Sequence, residues 1–411
     1  MAFIDFILAQ KYDLALLVLF VILLIWFLRK KVKHIVEQKL IAVLGFPIVS
    51  MVMVRTKWGI SLMLNWAKKY NGLVRFFGYF SIGIGAIGLV LNIGMLGLII
   101  KAVLDRPELQ QVGLVLPFTN IPGLGYLSFT HWIIAIAILA TVHEFAHGVV
   151  AKAHKIKVKA SGVAVLSLFR IPFIPAAFVE PDPKQMEKAT HRAQQSVLAA
   201  GPVSNLLLAI PVFLLFLGFS MFIATQATEP VGFSFMGVNE SLPAAQAGIE
   251  ANIIYNFIDG VEVDNASALV DTLAQKNPGD VVSIGRYDEN KSIVSYTITT
   301  MESPTNESRA YIGVLGLINN REFFDNYKPY GELLNWFKDL LRWLFLFNFF
   351  IGLMNLMPLY ITDGGQMVKL YAQKIFGKNS KWAKRMYSWI CSLAFYVLLA
   401  AFLVPFFAKF F

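Results

Sequence analysis

Charge is scarce in this chain: Asp, Glu, Lys and Arg together make up only 15% of its 411 residues. A soluble domain carries nearer a quarter. With 57% hydrophobic residues and a mean hydropathy of +0.61, the deficit excludes an ordinary soluble domain and predicts a polytopic α-helical membrane protein. Cysteine is almost missing. The single Cys391 excludes an intrachain disulfide framework and any multi-cysteine zinc site, and its apolar surroundings mark a packing residue. Basic–aromatic patches of the RNA-binding kind are also lacking, so the net charge of +10 does not point to a nucleic-acid partner. The first residues, MAFIDFILAQKYD, have no basic n-region, and no small-residue cleavage site follows. The first apolar run is therefore expected to be a retained anchor.

What is present is a series of apolar runs. Six are long enough to cross a bilayer of about 30 Å: Leu14–Leu28, Phe76–Ile100, Leu127–Ala151, Val197–Ala224, Trp343–Tyr360 and Met386–Ala408. A further stretch, IAVLGFPIVSMVMV, is short and broken by Pro47, so a surface-lying or re-entrant amphipathic segment is expected within residues 1–75. Lysine and arginine gather after the first span, after the third and before the sixth. The positive-inside rule then puts both termini outside and these loops in the cytoplasm. Residues 229–328 break the pattern: they are polar, rich in turn residues, and hold alternating runs such as SIVSYTITT that read as strands. They predict one small domain on the outer face. It separates a first part of the membrane core, 76–228, from a second part, 329–411.

Chemistry concentrates in the third span. His143-Glu144-Phe145-Ala146-His147 fits H-E-x-x-H, whose two histidines share a helix face and can bind one metal ion. Glu144, one position on, can take a proton from water that the metal activates. Ionisable groups at membrane depth are costly and usually functional. A catalytic zinc usually has three protein ligands. The other histidines sit in basic loops or at the far end of the span, so a carboxylate is the better third ligand. Asp363, in the segment NFFIGLMNLMPLYITDGGQ, belongs at the inner end of the fifth span, at the depth of His147. Span four opens with Gly201-Pro202 and Asn205. A bend or late start of the helix is expected there, with Asn205 a candidate to hold substrate backbone or a developing oxyanion. The connection VAVLSLFRIPFIPAAFVEPDP, rich in proline, suits a hairpin of about residues 160–185 dipping into the membrane. It could capture an extended substrate by strand addition.

Together, His143-Glu144-x-x-His147, Gly201-Pro202-x-x-Asn205 and Asn355-x-x-Pro358-x-x-x-x-Asp363-Gly364-Gly365 resemble, in order, the motifs of the site-2 protease family of intramembrane zinc metalloproteases. The resemblance implies one Zn2+ held by His143, His147 and Asp363, with Glu144 as general base. It implies substrate contacts from Asn205, Asn348 and Asn355. Thr362 stands where the family usually has leucine. The outer insertion resembles a PDZ domain through SLPAAQAGI, KNPGDVVSIGRYD and YIGVLG. The last would place Gly313 in a carboxylate-binding loop. Ala251-Asn252 replaces the usual Gly-Asp, so a steric filter for substrates already trimmed outside fits equally well. The expected protein is a multi-pass cell-membrane endopeptidase with its site toward the cytoplasmic leaflet. It would cut transmembrane substrates in contact with membrane lipid, and its oligomeric state is open. A metal or ion transporter using the same cluster is the alternative reading; the lack of internal repeats speaks against it.

Overall fold

The computed structural model describes residues 11–29, 35–43, 46–109, 113, 115–121, 123–168, 171–288, 290–304 and 306–408. The basic run at residues 30–34 and the hairpin tip at 169–170 lie outside the described residues. The chain forms two compact units, one of residues 1–216 with 339–411 and the other Leu217–Lys338.

The first unit opens with helix α1 (Lys11–Arg29), strands β1 (Ile35–Val43) and β2 (Phe46–Thr56), and helices α2 (Ile60–Lys69) and α3 (Asn71–Asp105). A small hairpin, β3 (Thr119–Ile121) with β4 (Gly125–Leu127), leads into α4 (Phe129–Ala153). Strands β5 (Val158–Leu168) and β6 (Ile171–Pro181) and the short helix α5 (Pro183–Lys188) precede α6 (His191–Phe222). Among the described residues, four helices are long and apolar enough to cross a membrane: α3, α4, α6 with its continuation to Ala227, and the last helix, Lys381–Ala408. With the family match given below, they make this a membrane-integral protein.

The stretch around Pro47 forms a strand pair. β1 and β2 join β5 and β6 in one antiparallel sheet of order β1-β2-β5-β6. β-Branched residues on both strands suit a pleated surface, and residues such as Val54 and Val163 pair across the β2–β5 seam. A Cβ at Gly162 would collide with the Val54 carbonyl, so glycine there permits the close approach. β6 is left as an edge strand, packed along α4. α2 seats Met63 and Ala67 against Ala146, Val149 and Val150 of α4, and Gly148 leaves room for the Met63 side chain.

The second unit contains β7 (Thr228–Val238), α7 (Pro243–Gln246), β8 (Phe257–Ile258), β9 (Val261–Glu262), α8 (Ser267–Ala274), β10 (Val281–Tyr287) and β11 (Ile293–Thr299). β12 (Met301–Ser303), β13 (Asn306–Tyr311) and β14 (Val314–Phe323) complete it, with β14 pairing back to β7. Its own core includes Phe233, Phe235, Tyr255, Leu269, Ile284 and Ile312. The unit takes in the ends of its two connecting helices and so extends beyond the expected 229–328.

The chain returns through α9 (Gly331–Asn355), α10 (Asp363–Phe376) and α11 (Lys381–Phe407). The fifth span departs from the expected Trp343–Tyr360. Helix α9 stops at Asn355, residues 356–362 turn without helix, and α10 begins at Asp363. Pro358 cannot donate to the helical ladder, which accounts for the break. Cys391 is buried in α11.

Candidate metal and active site

His143 and His147 are four positions apart on α4 and lie on one face, buried to 8% and 9% exposure. Their Nε2 atoms approach to 3.0 Å. Asp363 Oδ2 lies 3.2 Å from His143 Nε2 and 3.3 Å from His147 Nε2. Among the described residues this trio is the one His/Cys/Asp/Glu group close enough to hold a metal. The triangle fits zinc: a tetrahedral site with bonds of about 2.0–2.1 Å has ligand–ligand edges of about 3.3 Å.

Hydrogen bonding sets which nitrogen faces the centre. His147 Nδ1 donates to the Val197 carbonyl at 2.6 Å, which leaves the Nε2 lone pair pointing inward. His143 Nδ1 meets the side-chain amide of Asn205 at 3.1 Å. The atom placed there is Asn205 Nδ2, and Oδ1 is buried without a partner among the described residues. Exchanging the two, which satisfies both, lets Oδ1 accept from His143 Nδ1–H in the same way. Two imidazole lone pairs and a carboxylate oxygen then face one another in a buried space. Their mutual repulsion is relieved by a cation between them.

Both flanking helices are shaped for this approach. A Cβ on Gly201 would stand 2.7 Å from His143 Nε2 and closer still to His147 Nε2, so glycine keeps the metal face clear. The late start expected at Gly201-Pro202 is not found: α6 begins at His191 and runs through Pro202 and Pro211. Gly201 matters here for closeness, a role that a kink-based reading of Gly-Pro misses. Asp363, expected at the inner end of the fifth span, follows the turn that ends α9. It is the first residue of α10, after the N-cap Thr362, whose hydroxyl accepts from Gly365 N–H at 3.2 Å. The Thr362 hydroxyl also bonds the Met357 carbonyl at 2.5 Å. A Cβ at Gly364 or Gly365 would strike the backbone of residues 356–359, so both glycines let the helix start fold onto that turn and present Asp363. Thr362 was visible in the sequence only as a departure from the family pattern.

Glu144 is half-buried, and its Oε2 accepts the backbone N–H of Val179 in β6 at 2.7 Å. It lines a cavity of about 600 Å³ together with Thr141, Trp58, Leu62, Val163 and Phe178. The cavity therefore lies between the H-E-x-x-H helix, α2 and the sheet.

The remaining sequence candidates are placed differently. Asn205 is fully buried and engaged with His143, so it supports a histidine and touches no open face. Asn348 is fully buried and donates to its own helix at the Leu344 carbonyl, 2.8 Å away. Asn355 is half-buried at the end of α9. Neither is brought to the trio by a described contact. Gly313 belongs to the second unit, with φ +87° and its carbonyl accepting from Asn239 N–H at 3.1 Å.

Residues 131–399 match the family model of peptidase family M50. The chain is 26% identical over 281 residues to the uncharacterized protein MJ0971 of Methanocaldococcus jannaschii, covering 68% of this chain and 65% of that protein. It is 24% identical over 243 residues to the zinc metalloprotease RasP of Shouchella clausii, covering 49% of this chain and 56% of RasP. It thus spans somewhat less than two thirds of the length of either relative. Among solved structures, the PDZ domain of an SdrC-like protein from Listeria monocytogenes aligns at 21% identity. That alignment covers 24% of this chain and 92% of the domain, with a TM-score of 0.18. The second domain of the listeria protein Lin2157 aligns at 25% identity over 22% of this chain and 86% of that domain, with a TM-score of 0.19. The M50 match spans most of the chain and takes in His143, Glu144, His147, Asn205 and Asp363, and on that basis the chain belongs to peptidase family M50, the site-2 protease family.

Proposed function

We propose that this protein is an intramembrane zinc metalloendopeptidase that hydrolyses peptide bonds in transmembrane segments of membrane-anchored proteins. The observation that carries the reading is the convergence of His143, His147 and Asp363 beside Glu144 on a helix apolar enough to span a membrane. One zinc ion would be held by His143 Nε2, His147 Nε2 and Asp363 Oδ2; when bound, it lowers the pKa of water and polarises a peptide carbonyl. Glu144 acts as general base. Its Oε2 is held by Val179, so Oε1 is the oxygen that takes the proton and passes it to the leaving amine. Asn205 and the Val197 carbonyl hold the two imidazoles in the required tautomer.

A helical substrate has its peptide bonds shielded by internal hydrogen bonds, so it must be drawn out before water can attack. Strand β6 has an open edge beside Glu144, and an extended segment added there would lie along the cavity. In this reading the sheet is membrane-associated and the site faces the cytoplasmic leaflet, following the lysine and arginine distribution. α1 and α9 complete six spans. The second unit is a PDZ-like domain outside the membrane. Through the loop at Gly313 it binds peptide termini or admits only substrates shortened by an earlier cleavage.

Reconstitution tests the proposal. Purified protein in proteoliposomes should cleave a membrane-anchored test substrate, lose that activity to a zinc chelator and regain it with added Zn2+. Zinc flux across the vesicles without cleavage would instead support a transporter and overturn the protease reading.

A further inference from the structure

At one end of the membrane helices, two arginines surround a tyrosine. Arg192, on the first turn of α6, places its guanidinium 4.2 Å from the centre of the Tyr79 ring. Arg75, on the first turns of α3, lies 6.0 Å from the same ring and donates to the Tyr79 hydroxyl at 3.1 Å. The imidazole of His154, which caps α4, tilts against the ring at 5.6 Å, and its Nε2 is buried without a hydrogen-bond partner. Three helices thus bring two guanidinium groups and an unused imidazole nitrogen to one aromatic platform. Neither arginine is paired with a carboxylate among the described residues.

The absence of acids is built into the chain. The stretches nearest this end, Lys57–Phe80, Phe145–Lys157 and Lys188–Ser196, contain no Asp or Glu, and the neighbouring Asp182 and Glu187 are paired with Lys159 and Lys378. The same stretches do contain Lys57, Lys68, Lys69, Lys152, Lys155 and Lys188. Guanidinium groups stacked on an aromatic ring are fixed in orientation and suited to forked hydrogen bonds with phosphate oxygens. α3 has 35 residues, a length of roughly 50 Å, which exceeds the hydrocarbon core and leaves its first turns at headgroup level. Directly below the arginines, α3 exposes Phe76 and Phe80, stacked at 6.4 Å. Gly83 follows with no atom within 4 Å of the position a Cβ would take, and then the exposed Ile87 and Leu91. A cationic cradle above an open apolar furrow matches a phosphate carried on acyl chains. A soluble anion would use only the upper half.

We infer that Arg75 and Arg192, gathered around Tyr79, form a binding site for the phosphate of an anionic phospholipid in the leaflet faced by the basic loops, with an acyl chain along Phe80, Gly83 and Ile87. The site draws on none of the metal-centre residues and stands independently of the proposed activity.

Native mass spectrometry of the full-length protein in detergent, titrated with dioctanoyl phosphatidylglycerol, dioctanoyl phosphatidylcholine or inorganic phosphate, tests it. The expected result is one phosphatidylglycerol retained per chain in preference to phosphatidylcholine. Each basic group near a membrane surface contributes roughly fivefold to anionic-lipid binding, so Arg75→Gln with Arg192→Gln should weaken phosphatidylglycerol by about 25-fold and leave phosphatidylcholine unchanged. The single Arg192→Gln, at an exposed side chain, carries the same expectation at roughly fivefold if the double variant does not fold. Unchanged phosphatidylglycerol affinity in the variants would overturn the assignment. Binding of inorganic phosphate as tight as that of the lipid would assign the site to a soluble anion and overturn it as well.

Discussion

Val179 in the edge strand β6 donates its backbone N–H to Glu144 Oε2 over 2.7 Å, tying the sheet to the proposed general base through one hydrogen bond. The bond fixes which carboxylate oxygen is free and where the strand edge lies relative to the metal trio. A strand pairing that links residues more than a hundred positions apart, β2 with β5, thereby contributes to the position of the proposed general base.

Replacing Val179 by proline removes that donor while an edge strand still tolerates the ring. Val179→Pro should lower kcat by about 10-fold or more, since general-base catalysis contributes 10²–10⁴-fold and depends on alignment. Zinc content should stay at one per chain. Metal analysis beside initial cleavage rates checks both, and loss of zinc in this variant would show that the bond is structural only.

Gly201→Ala should act on the metal instead. The added methyl group stands in the space shared by the two imidazoles, and overpacking of a tight site costs about 1–3 kcal/mol. Zinc affinity should fall roughly 5- to 150-fold, measured by competition with a chromophoric chelator. Unchanged affinity would mean that the helices separate freely at this point.

Asn205→Leu preserves the approximate volume and deletes the partner of His143 Nδ1. Removing such a partner typically weakens metal binding 10- to 100-fold. If Asn205 acted on the oxyanion alone, zinc affinity would be retained and only kcat would fall, so parallel titration and kinetics separate the two roles.

The local features of the site were legible from residue spacing. An i, i+4 pair of histidines shares a helix face wherever the helix lies, and H-E-x-x-H is read without tertiary knowledge. Charge placement brought Asp363 to the same depth. The reasons for the glycines were not legible. At Gly201 a Cβ would clash with imidazoles on another helix, which leaves no trace in local sequence. Thr362, a departure from the family pattern, turns out to cap the helix that presents Asp363. The strand pair β1–β2 was missed because an apolar run of that length is ambiguous by periodicity, and its partner strand lies far along the chain. The fifth span was drawn through Pro358 on hydropathy alone, whereas α9 ends three residues earlier.

Glu144→Gln tests the central claim most directly, through zinc content and cleavage measured on the same preparation. Glutamine keeps the size of the side chain but cannot take a proton at pH 7. The account predicts zinc near one per chain and cleavage of a membrane-anchored substrate reduced by at least about 100-fold. Full cleavage by this variant, or a wild-type protein that binds no zinc, would contradict it.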